Sequence, residues 1–440
     1  MTIYVNSLGC GEGKTTQHIY PQIAQLLGER ERVLLVVPSI KLQRQYAREF
    51  NTITVINSDN STNVAHSAYT ALENRNPFVC ITHQAFVNLR ISFQQKQDYH
   101  LIIDEVFDPY ELVEFRVNNT VWTPDFRFDQ VFAFDTETHP DDPTWLELNK
   151  CNPDPEHELL MSDSRRWQNL MHRNYRLWTT PVQYHRMLEG ASDVICFVRE
   201  LDAHIMEFWS TVTVAAAAFE HTFMSHWLRQ ANRAVETTHP FVPHKKHVRI
   251  HTPAQDFRWS RWRRQHNPEI VDQYHQYVKQ HQTGSTLVLR NNDEIRQLTD
   301  EVRLLHNAHG SNDYSNINNI SLESALNPSP ELANFYTTHL AMTAGLIKQA
   351  FASYLFYQAV MRTSLRLANT TQPVDVFVLD TDAAVGLFEY FEVEPIEVLN
   401  HIHIEFEQKP KGRPSTDFDR QQYMREYMRE YQRKRRSKTS

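Results

Sequence analysis

Along the first hundred residues, apolar positions come as short continuous blocks separated by stretches of helical spacing. The residues up to Asn6 read as a strand. Gln17 to Leu27 spaces its apolar residues at helical intervals and stops at Gly28. Val33 to Val37 is an unbroken apolar run closed by Pro38, the pattern of a strand buried on both faces. Lys41 to Phe50 reads as a helix, Phe78 to Thr82 as a strand followed by a helix from Gln84, and Leu101 to Ile103 as a further buried strand. Strands alternating with helices predict an α/β fold with a doubly wound parallel sheet.

The pattern changes over about 109–205, where Trp, His, Arg and Pro are frequent and strand signals weaken. A largely helical insertion is expected there. Thr211 to Ala218 again looks like a buried strand. His239 to His251, rich in Pro and basic residues, leads into a second lobe. Its strand candidates are Ser285–Leu289, a weaker Ile317–Ser321 and a strong Val374–Leu379, with one long helix from Leu332 to Leu367. The expected division is a first lobe over 1–230, a second over 231–405 and a basic helical tail over 406–440.

Composition narrows the class. With 440 residues and 41% hydrophobic content, the chain can build more than one core. Cys10, Cys80, Cys151 and Cys196 lack metal or disulfide spacing, which fits a reducing cytosol. The first residues lack a basic stretch followed by an apolar core, and no apolar run is long enough to span a bilayer. A cytoplasmic protein with no membrane partner is expected. Net charge is −8, yet from Lys409 onward eleven Lys/Arg face four Asp/Glu. Such asymmetry marks either a tail that meets a polyanion or a solvated end.

Three of the ten glycines, Gly9, Gly11 and Gly13, fall within SLGCGEGKTT. Glycine permits backbone angles that turn successive N–H groups into a concave nest for phosphate oxygens. The candidate triphosphate segment is Gly9, Cys10, Gly11, Glu12, Gly13, Lys14, Thr15 and Thr16. Lys14 would reach the β and γ phosphates, Thr15 would ligate Mg²⁺, and a helix N-terminus would face the same anion. Leu8 stands where the longer G-x-x-x-x-G-K-[ST] pattern has its first glycine, leaving the G-x-G-K-T core.

Asp104 and Glu105 close an apolar strand, at the edge where open α/β sheets bind ligands. Asp104 would hold Mg²⁺ and Glu105 would orient the attacking water; the alternative is a pair of acids capping a helix. Gln358, Arg362 and Arg366 recur every four residues and would share one helix face. They either reach a cleft or form a salt-bridged surface.

Taken together these stretches resemble superfamily-2 helicases of the DEAD/DEAH-box-like kind, in phage-type and plasmid-type members. LGCGEGKT resembles motif I, VVPSIKLQRQ motif Ia, ITHQAF motif Ib, and Asp104 to Phe107 the DEAD or DEAH box. TVAAAAF (Thr213 to Phe219) resembles motif III without its Ser-Ala-Thr, His309 to Pro328 the motif V region, and QAVMRTSLR motif VI with three residues between its arginines. The resemblance implies two RecA-like lobes with ATP and Mg²⁺ between them and a nucleic-acid strand, DNA in the first instance, across their tops. It implies arginine fingers at Arg362 and Arg366, a γ-phosphate contact at Gln358, and nucleic-acid contacts at Pro38, Ser39, Gln45, Thr82 and His83. Replication or recombination proteins are the partners it would bring.

In the tail, KPKGRPS resembles the short hook that lies in A·T-rich minor grooves. Tyr423, Tyr427 and Tyr431 repeat every four residues beside arginines. Lys411, Arg413, Arg425, Arg429 and Arg433 are the candidate contacts there; a flexible linker with a partner-binding helix is the alternative. Two other functions share the phosphate turn. A terminase-like packaging ATPase with a nuclease would draw on Asp375, Asp380 and Asp382, and a non-catalytic DNA-binding protein would use the tail alone.

Overall fold

The computed structural model describes residues 2–116, 132–134, 144–150, 172–188 and 194–402, apart from short breaks within the last stretch. The chain opens with five strands, β1 (Thr2–Asn6), β2 (Val33–Val37), β3 (Thr54–Val55), β4 (Phe78–Thr82) and β5 (His100–Asp104). An insertion supplies β6 (Tyr110–Arg116), β7 (Phe132–Phe134), β8 (Leu146–Lys150), β9 (Tyr175–Thr179) and β10 (Val194–Leu201). The chain then returns with β11 (Thr211–Ala215) and β12 (Ala234–His239).

The first sheet is parallel throughout, in the order β12-β1-β11-β5-β2-β4-β3. Its central strands are buried on both faces, and Val33 to Val37 has no exposed residue. Covering both faces with helices is what such apolar runs require. β11 lies between β1 and β5 although it follows β5 by about a hundred residues and β1 by about two hundred. Because β12 is the edge strand of this sheet, the first lobe runs past residue 230, and the boundary falls between His239 and Val248.

The second lobe is also wholly parallel. It contains β13 (Val248–Pro253), β14 (Thr286–Leu289), β15 (Glu301–Leu304), β16 (Asn319–Leu322), β17 (Val374–Val378) and β18 (Ile396–Ile402), in the order β15-β14-β16-β17-β13-β18. Two RecA-like lobes are therefore present, as the family resemblance implies.

Two expectations are corrected. Among its described residues the insertion is chiefly an antiparallel sheet, β6-β10-β9-β8-β7, with a helix over Pro181–Leu188. Charges inside this sheet hide the period-two pattern. Arg199 is 3% exposed, with its guanidinium 4.0 Å from the Tyr175 ring centre and paired to Glu111. Arg176 bonds Glu147 and lies over Trp178.

The stretch from Leu332 to Leu367 is not one helix. Helical turns end at His339, Ala341 takes a left-handed φ of 50°, and helix resumes at Ala344 under a Thr343 cap. It stops at Val360, and Thr363 caps a separate short turn over Ser364–Arg366. The first part packs on the insertion: Trp145 Nε1 donates to Thr338 Oγ1 at 2.9 Å, and the Trp178 and His339 ring centres are 4.0 Å apart. Among the described residues no helix is long and apolar enough to cross a membrane.

Candidate functional site

Leaving β1, the chain passes Ser7, whose hydroxyl accepts from Phe219 N at 2.8 Å and donates to Glu220 Oε2 at 2.6 Å. The start of the loop is thereby fixed to the turn after β11. Gly11 and Gly13 have φ of 82° and 80°, where a side chain would be strained. A helix begins at Lys14 with a wide first turn. Its opening N–H groups have no partner within the helix, as at any helix start, and such groups suit an anion. Lys14 is buried and folds over the loop, its Nζ donating to the carbonyls of Leu8 and Gly9 at 3.0 Å each.

Two strands away, β5 pairs with β11 as far as Asp104 opposite Ala215. There the chain turns sharply. Glu105 has φ of 72°, and its N–H donates to Ala215 O at 2.8 Å. A left-handed angle at a residue other than glycine costs on the order of 1 kcal/mol or more and recurs at functional sites. Asp104 is 2% exposed and accepts from Tyr46 Oη at 2.8 Å. Burial, with the neighbouring Glu105 charge, pushes its carboxyl up to about 7, against the pull of the Tyr46, Lys14 and Thr15 contacts. The Thr15 hydroxyl and the Asp104 carboxylate thus stand together. Few protein oxygens beside a phosphate site suit magnesium, which keeps several waters and phosphate oxygens as its other ligands.

The opposite wall comes from the second lobe. Gln358 Nε2 donates to Glu105 Oε2 at 3.4 Å. Arg362 is buried near Cys10, whose thiol pKa burial raises while the charges of Lys14 and Arg362 oppose the rise. Arg366 lies over Gly11: a Cβ built there would stand 3.7 Å from Arg366 Cγ. Burial and the like charge of Arg362 lower the pKa of Arg366. The arginines do not share a helix face with Gln358, because the helix ends at Val360. They project from the turns that follow, and these turns bring them to the loop.

The remaining candidates divide. Pro38, Ser39 and His83 follow β2 and β4, and Thr82 ends β4, at the same sheet edge as the glycine loop and Asp104. The hydroxyls of Ser39 and Thr82 cap the helices that begin there, accepting from Leu42 N and Ala85 N. Gln45, more than one turn into its helix, bonds Tyr20 instead, and the structure does not group it with that edge. Lys411, Arg413, Arg425, Arg429 and Arg433 lie outside the described residues. Of the carboxylates a nuclease would need, Asp375 is engaged by Arg249 and His251, Asp380 by Trp259 N, Ala383 N and Lys348, and Asp382 by Arg258. Among the described residues no group of three His, Cys, Asp or Glu is arranged to hold a metal.

Sequence reasoning missed Tyr46, His244 and Tyr357. Cys10 N donates to Tyr357 Oη at 2.7 Å, and Tyr357 Oη stands 2.7 Å from His244 Nε2. Nothing in the local pattern marks these residues, whose partners are far away in the chain. Burial and the charges of Lys246 and Lys14 lower the His244 pKa from near 6.5 to about 4. Its unfolded form therefore takes up a proton first as pH falls, so stability falls between those two values. From pH 6.5 to pH 5 this amounts to about 2 kcal/mol. Denaturation midpoints at pH 7 and pH 5 are expected to differ less in His244→Gln than in the wild type. Equal differences would contradict a buried neutral imidazole.

Residues 3–108 match the family described as Type III restriction enzyme, res subunit. No curated protein matches the sequence. A solved structure named XPD_APO is 11% identical, with 90% of this chain and 97% of that chain covered and a TM-score of 0.47. Xpd4 of S. tokodaii is 12% identical, with 90% and 96% covered and a TM-score of 0.47. S. cerevisiae Dbp5 bound to RNA and ADP BeF3 is 10% identical, with 90% and 85% covered and a TM-score of 0.36.

Proposed function

We propose that the chain is a helicase-type core of superfamily 2 and works as an ATP-driven motor that moves along nucleic acid, in the first instance DNA. One observation carries the reading: Gln358 of the second lobe bonds Glu105 of the first, beside a glycine loop covered by Arg366. A nucleotide held in that loop would touch both lobes, so its hydrolysis would change how the lobes sit together.

Residue by residue, the loop N–H groups and Lys14 bind the phosphates. Thr15 and Asp104 are the residues that would hold Mg²⁺, which when bound neutralises phosphate charge. Glu105 orients the attacking water and receives its proton; Gln358 holds that carboxylate in place. Arg362 supplies positive charge where the leaving phosphates gain negative charge. Pro38, Ser39, Thr82 and His83 line the edge over which a strand would pass, and the basic tail adds phosphate contacts.

Hydrolysis of ATP, followed by phosphate release with single-stranded DNA, duplex DNA and RNA as separate activators, tests this. Stimulation by at least one polymer is expected, with DNA ahead of RNA. Glu105→Gln is expected to lower the stimulated rate by about a hundredfold, the usual worth of a positioned acid–base group. Hydrolysis that no polymer changes would remove the motor reading and leave a nucleotide-binding protein.

A further inference from the structure

The phosphate loop is joined to the second lobe through Tyr357 and His244. Gly9 N donates to Glu12 Oε2 at 2.6 Å. The other carboxylate oxygen, Glu12 Oε1, stands 3.4 Å from His244 Nδ1. His244 Nε2 is 2.7 Å from Tyr357 Oη, which accepts from Cys10 N at 2.7 Å. Tyr357 Oη accepts from the Cys10 amide and shares a hydrogen bond with His244 Nε2, in which either atom donates according to the imidazole tautomer.

Both second-lobe partners are held firmly. The Tyr357 ring stacks on Tyr390 with centres 4.3 Å apart and planes 7° apart. The His244 backbone bonds on both sides, N–H to Tyr390 O at 2.9 Å and C=O from Glu392 N at 3.0 Å. Glycine at position 9 is also accounted for: a Cβ there would stand 2.4 Å from His244 Cε1. Tyr357 is the immediate neighbour of Gln358, so a shift of this helix moves the Glu105 contact and the loop contact together.

We propose that Tyr357 and His244 are a latch by which the second lobe sets the shape of the phosphate loop, making them positioning residues that pass nucleic-acid binding to the nucleotide site. The proposal rests on the motor reading for its function but not for its geometry. Without the latch the loop keeps its lysine, glycines and magnesium ligands, so it still binds nucleotide. What it loses is the link between lobe position and loop position.

Tyr357→Phe removes the hydroxyl and keeps the stacked ring. Two measurements follow. With no nucleotide present, alkylation of Cys10 by iodoacetamide, read by mass spectrometry of the peptide, is expected to quicken severalfold, because the loop loses its tether. With nucleotide, the ratio of DNA-stimulated to unstimulated kcat is expected to fall about tenfold, an ordinary coupling energy, while the Kd of a fluorescent ATP analogue moves less than about threefold. His244→Gln, which presents an acceptor at similar reach, keeps most of the ratio, and His244→Leu loses it. Tyr357→Phe and His244→Leu combined do no more than either alone, as members of one network should. An unchanged alkylation rate, or a wild-type ratio in Tyr357→Phe, overturns the latch. If no polymer stimulates the wild type, the motor reading fails, and the alkylation result still decides the latch.

Discussion

Replacing Lys14 with alanine is expected to lower ATP hydrolysis by about a thousandfold or more, since each preorganised charge or donor at the reacting group is worth about a hundred- to a thousandfold. Two effects act together. The ammonium that would meet the β and γ phosphates is lost. So are its bonds to the carbonyls of Leu8 and Gly9, which hold the loop over its own concavity. Binding should therefore weaken along with turnover, and a fluorescent nucleotide titration beside the rate assay separates the two. The fold should survive, because the strands beneath the loop keep their packing. Turnover within about tenfold of wild type in a folded Lys14→Ala protein would mean that the loop is not the phosphate site.

Arg362→Ala is expected to have a comparable effect of different kind. An arginine that meets charge developing in the transition state is worth about a thousandfold or more in kcat and much less in binding. Arg362 is buried beside Cys10, so its charge acts in a site largely closed to water. The kcat should fall while the nucleotide Kd stays within a few-fold. Lysine should not restore it, since a point charge lacks the planar fork. Arg366 lies over Gly11 and is only half-buried. Its removal is expected to raise Kd more than it lowers kcat. Should Arg362→Ala shift Kd and leave kcat alone, that arginine would be a ground-state contact and the cleft would lack its finger.

The lowered His244 pKa and the latch bear on both experiments. Work at pH 7 or above keeps the imidazole neutral and the loop tied to the second lobe. Below about pH 5 a fall in activity would mix chemistry with loss of that tie.

Local pattern alone placed the elements that bear on the candidate chemistry. The apolar runs ending at Asn6, Val37, Thr82 and Val378 are strands, and the glycines at 11 and 13 do take left-handed angles. Such features depend on neighbours within a few residues, because backbone freedom and the burial of a strand are local properties. The insertion was misread for a physical reason as well. Arg199 and Arg176 lie inside a sheet, satisfied by Glu111, Glu147 and aromatic faces, so polar and apolar positions do not alternate as they do on a solvated sheet.

Tertiary structure alone decided the rest. Sequence could place Gln358, Arg362 and Arg366 on a helix, but the helix stops at Val360 and the turns that follow carry the arginines to the loop. It could not say that β11 enters between β1 and β5, or that Tyr46 supports Asp104. Cys10 and Tyr357 are 347 positions apart, and Tyr357 and His244 are 113. Hydrogen bonds of that span leave no periodicity in the chain. They exist only once two sheets have packed and their loop edges meet.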